Sequence, residues 1–81
     1  MNVHVYDTHV YTIAGEYIHF DVLVDDHNKD KVQQFAETYL NSLGVSVDRI
    51  KQGHCNFCHS ESANPEVQLQ IEQHGYSIIR L

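Results

Sequence analysis

The sequence predicts an α+β fold: one small domain, residues 1–81, in which strand, strand, helix, strand, helix and strand follow one another, arranged as a mixed four-stranded sheet with two helices on one face. Three observations carry that expectation. Residues 17–24 alternate apolar and polar with period two, residues 32–43 carry apolar side chains at helical spacing, and a chain of 81 residues has room for a single core.

The first strand is predicted by VHVYDTHVY, residues 3–11, a run rich in valine and tyrosine. In the second, Ile18, Phe20, Val22 and Val24 face one way, and Tyr17, His19, Asp21 and Leu23 the other. Between them Thr12-Ile13-Ala14-Gly15-Glu16 is short and contains a glycine, which predicts an antiparallel hairpin. Its register stays open at this level, because a slip of one residue exchanges His4, Tyr6 and Thr8 for Val5, Asp7 and His9 on the core side.

Asp25-Asp26-His27-Asn28 offers N-cap residues for the first helix. In that helix Val32, Phe35, Ala36, Tyr39, Leu40 and Leu43 form one stripe that Gly44 ends. Residues 48–52, around Ile50, predict a short third strand broken by Gly53. Asn64 as cap and Pro65 in the first turn start a second helix, in which Val67, Ile71 and His74 share a face and Gly75 closes the last turn. Residues 76–81 predict the final strand. The helical connections are long enough for parallel placement, hence the mixed sheet. A sheet covered on one face leaves its other face, with the His, Tyr and Asp side chains of the hairpin, to solvent, a partner or an ion.

Eleven acidic residues against five basic ones give a net charge of -6. The cations Lys29, Lys31, Arg49, Lys51 and Arg80 are dispersed along the chain, so no surface for neutralising phosphates is expected and nucleic acid is excluded as a partner. No apolar run approaches the ~20 residues that span a bilayer, and the opening residues lack the basic and apolar segments of a leader. A cytoplasmic location without membrane attachment is the expectation. The seven histidines make charge, solubility and any metal affinity sensitive to mild acid.

Both cysteines fall in His54-Cys55-Asn56-Phe57-Cys58-His59. The literal pattern C-x-x-C-H is that of covalent haem attachment, but the expected compartment and the β-rich chain argue against haem. Zinc suits the residues better: a C-x-x-C turn brings two thiolates to one ion, and imidazole completes a soft set. Cys55, Cys58 and His59 are therefore the expected metal ligands, with His54 a flanking alternative and His4, His9, His19 and His74 available to fill the set. A thiol redox role is a further reading, although a tuned thiolate favours a helix N-terminus and Asn64-Pro65 starts the helix several residues later. Inert packing of two small buried thiols is the structural alternative. No nucleophile and base, strained elbow or phosphate loop is legible, so no residue constellation supports enzymatic turnover. Asp7, Asp21 and His19 meet on the hairpin only in one register. An interaction module that forms a homodimer through the open sheet face is the reading from a different functional class.

Taken as a set, Val3-His4-Val5-Tyr6-Asp7-Thr8, His19-Phe20-Asp21-Val22, Cys55-x-Phe57-Cys58-His59-Ser60 with Ala63, and Gly75-Tyr76 resemble DUF2024, a family of small bacterial proteins known as a domain of unknown function. The likeness runs from the first strand almost to the last residue. It implies a compact domain of four strands and two helices and brings no activity, substrate or cofactor with it.

Overall fold

A computed structural model describes residues 2–55 and 64–81. Strands β1 (His4–Thr12) and β2 (Tyr17–Val24) form the hairpin, a 3-10 turn (Lys29–Lys31) leads into α1 (Val32–Leu43), and β3 (Val47–Cys55), α2 (Pro65–His74) and β4 (Tyr76–Arg80) complete the chain. The fold is α+β, as expected.

The sheet runs in the order β3-β1-β2-β4, and every neighbouring pair is antiparallel. The expected mixed sheet is thus corrected. α1 carries the chain past β1, so β3 has the direction of β2 but bonds to β1. α2 then returns it across the whole sheet, and β4 lands on the free edge of β2. A crossover gives a parallel pair only when it sets its two strands side by side, and neither does.

The helices also lie on opposite faces rather than on one. Ala36 and Leu40 of α1 are buried against Val10, Ile18, Phe20, Val22 and Val24, with Tyr6, Ile50, Tyr76 and Ile78 at the margin. Val67 and Ile71 of α2 are buried with Val3, Val5 and Leu23, and Ile79 packs beside them. Successive strand residues point to opposite faces, so Val22 belongs to the α1 side and Leu23 to the α2 side, as do Ile78 and Ile79 in turn. Leu23 and Phe20 are both wholly buried. Burial of side chains of this size stabilises by roughly 1.5–3 kcal/mol each, which is why neither apolar set stays in water.

Local signals explain the boundaries. The hairpin turn is closed by Thr12, whose amide donates to the Glu16 carbonyl (2.9 Å) and whose hydroxyl accepts from the Glu16 amide (2.9 Å). α1 ends at Gly44, with φ of 71°, a conformation that glycine adopts without steric cost. The N-cap expectation for α1 is not met: Asp25 Oδ1 instead accepts from the His27 amide (3.1 Å) and the Asn28 side chain (2.9 Å), and the helix is entered through the 3-10 turn without a side-chain cap. α2 does begin as expected, with Asn64 Oδ1 accepting from the Glu66 amide at 2.9 Å.

β3 is longer than the short strand expected. Gly53 does not break it: the ladder with β1 continues through Asp7↔Gly53 to Val5↔Cys55. Ladder bonds are made by backbone, and a glycine on an edge strand weakens them without removing them. No helix among the described residues is long and apolar enough to cross a membrane.

Candidate metal centre

The register turns the α2 side of the sheet into a grid. One row is Cys55, Val5, Leu23 and Ser77; the next is Gly53, Asp7, Asp21 and Ile79; then come Lys51, His9 and His19; and last Arg49, Tyr11 and Tyr17. α2 packs over Val5 and Leu23 of the first row and reaches Ile79 in the second. Beyond its reach the same face carries histidine, aspartate and tyrosine.

Asp7 is the hub of this open half. His9 Nε2 donates to its Oδ2 (2.7 Å) and His19 Nε2 donates to its Oδ1 (2.5 Å). The two imidazoles stack at 4.2 Å between centroids and 15° between planes. They can do so because β1 and β2 pair His9 with His19 directly, while Asp7 lies two residues along β1 on the same face. Tyr17, two residues before His19 on β2, places its hydroxyl 2.6 Å from His9 Nδ1. Tyr11 flanks Tyr17 at 5.3 Å, and the Arg49 guanidinium lies 4.6 Å over the Tyr11 ring.

Partial burial acts to raise the Asp7 pKa, but hydrogen bonds from His19 and His9 and their attraction outweigh it, holding the carboxyl below the ordinary carboxylate range. Tyr17 is shifted up by loss of hydration and by the neighbouring Tyr11 and Asp7, so its phenol keeps its proton at neutral pH.

One carboxylate oxygen of Asp7 and one ring nitrogen each of His9 and His19 all lie within 4.8 Å of one another, in half-buried positions. Ligand atoms bonded to a common ion at about 2.0–2.2 Å sit about 3–3.5 Å apart, so modest side-chain shifts, with the hydrogens moved off the ligating ring nitrogens, would bring this cluster to coordination spacing. Two imidazoles and one carboxylate on a sheet face fill one side of an ion and leave its outward positions for water or another ligand.

Of the ligands expected from sequence, Cys55 ends β3 opposite Val5, while Cys58 and His59 lie outside the described residues. Among the four histidines available to complete a set, only His9 and His19 come together. His4 instead pairs through Nε2 with Asp26 Oδ1 at 2.5 Å, and His74 ends α2. Burial of Asp26 is slight, and the His4 bond, with a second from Asn2, lowers its pKa. His54 contacts the rings of His4 (5.8 Å) and Tyr6 (5.0 Å). The missed signal was short: Asp7-x-His9 places two ligand types on one face, and the five residues Thr12 to Glu16 set His19 opposite His9.

The chain is 34% identical to protein NE1680 from Nitrosomonas europaea, whose NMR structure matches with a TM-score of 0.71 over 100% of this chain and 95% of that one. No curated protein matches it. The family model for "Domain of unknown function (DUF2024)" matches residues 1–81, the whole chain, and the protein belongs to that family.

Proposed function

We propose that the protein is a divalent transition-metal-binding domain, with zinc the ion it takes and Asp7, His9 and His19 its ligands. The convergence of three ligand atoms within 4.8 Å is the observation that supports this reading. Imidazole and carboxylate together suit a borderline ion, and the carboxylate supplies a negative charge where a cation would sit.

The test is native mass spectrometry and zinc titration of the purified full chain. Zinc should load at one ion per chain and be lost in Asp7→Asn and His19→Ala. It should persist in the Cys55→Ser/Cys58→Ser double variant. A protein that takes no zinc at micromolar concentration overturns the proposal. Loss of zinc in the cysteine variant with retention in Asp7→Asn also overturns it, and moves the ion to Cys55, Cys58 and His59.

A further inference from the structure

We infer that Tyr17 is the positioning residue of this centre, selecting the His9 tautomer that ligates; the inference rests on the metal reading above. The two His9 nitrogens have different partners: Nε2 faces Asp7 at 2.7 Å and Nδ1 faces the Tyr17 hydroxyl at 2.6 Å. A neutral imidazole carries one N–H. Without an ion that hydrogen sits on Nε2 and is given to Asp7, so Nδ1 is an acceptor and the phenol donates to it.

Ligation through Nε2 requires the hydrogen to move to Nδ1. The Nδ1–H then donates to the Tyr17 oxygen, and the phenol hydrogen turns outward to solvent. Proton count is unchanged, since the ring exchanges one N–H for the other. A hydroxyl serves both states because it donates and accepts, whereas a carboxylate or an ammonium in its place would serve one. A metal-bound histidine is ordinarily held by such a partner on its second nitrogen.

Position on the sheet makes Tyr17 suited to this role. It stands diagonally across the β1–β2 ladder from His9, and its ring lies 17° from parallel to the His9 ring. At 52% exposure it carries little of the core, so removal of its hydroxyl separates positioning from folding.

Zinc titration of Tyr17→Phe, with nitrogen-detected NMR of the His9 ring, tests the inference. Affinity should fall about 10-fold or more, the range found for loss of outer-shell partners. In zinc-loaded wild type His9 should carry its hydrogen on Nδ1 with a signal protected from exchange, and in Tyr17→Phe that protection should be lost. Thermal unfolding of the two metal-free proteins should coincide. Wild-type loading with equal affinity and an equally protected Nδ1–H in Tyr17→Phe overturns the role of Tyr17 and leaves the metal site standing. Failure of the wild type to load zinc overturns the metal reading itself, and this inference with it.

Discussion

The two ends of one sheet face make an instructive pair. At one end Val5, Leu23 and Ile79 meet Val67 and Ile71 of α2 and leave water. At the other, further along the same two central strands, half-buried Asp7, His9 and His19 and exposed Tyr17 bond to one another. Backbone geometry is shared, so the difference lies in side-chain chemistry and in the length of α2. The ten residues of α2 bury Val67 and Ile71 with Val5 and Leu23, beside Ile79, and that cluster includes no residue from the rows of His9, His19 and Tyr17. The covered end contributes stability through buried area, and the open end, released from that demand, can hold groups that react or ligate.

The largest effect that sharpens this contrast is expected in the covered end. Leu23→Ala should destabilise by about 2–5 kcal/mol in urea unfolding, through lost burial and the cavity it leaves. His19→Ala, on the same strand and face, loses a hydrogen bond to Asp7 and should cost about 1 kcal/mol, well below the Leu23 value, while zinc binding disappears. Equal destabilisation by the two would break the comparison.

A smaller effect is expected where α2 is anchored. Asn64→Ala removes the acceptor for the Glu66 amide and should cost about 1 kcal/mol in the same assay. Zinc affinity should not follow, because none of the three ligands lies on α2.

The smallest effect concerns acid. The folded-state pKa of Asp7 lies below its ordinary value, so its pairing contributes fully above about pH 3.9, the unfolded carboxylate value, and is lost as pH falls through the lower folded value. Wild type should therefore lose more stability between pH 5 and pH 2 than Asp7→Asn does, read as the shift in urea midpoint. Asp26, lowered by its bond to His4, should behave in the same sense in Asp26→Asn. An Asp7→Asn protein as acid-sensitive as wild type would show that the cluster is not bonded in solution.

Much of this was legible in advance. The stripe of α1, its end at Gly44, the cap at Asn64 and the whole of β2 follow from periods and turn residues that act within a few positions. The extension of β3 through Gly53 was not, because a partner strand decides whether a glycine ends a ladder. Helix placement was also hidden, although Leu23 carried a trace of it: an apolar residue among Tyr17, His19 and Asp21 marks a second covered surface. Of the site, the ligand types could be read and their meeting could not, since His9 faces His19 in one register and turns away from it in the next.

Sequence alone determined which segments become strands and helices, for these depend on local periodicity, caps and glycines. Tertiary structure decided that the helices flank the sheet, that its strands are antiparallel throughout, and that Asp7, His9, His19 and Tyr17 form one cluster. Those outcomes depend on pairing between separate strands of the sheet, where a shift of a single residue reverses every side chain.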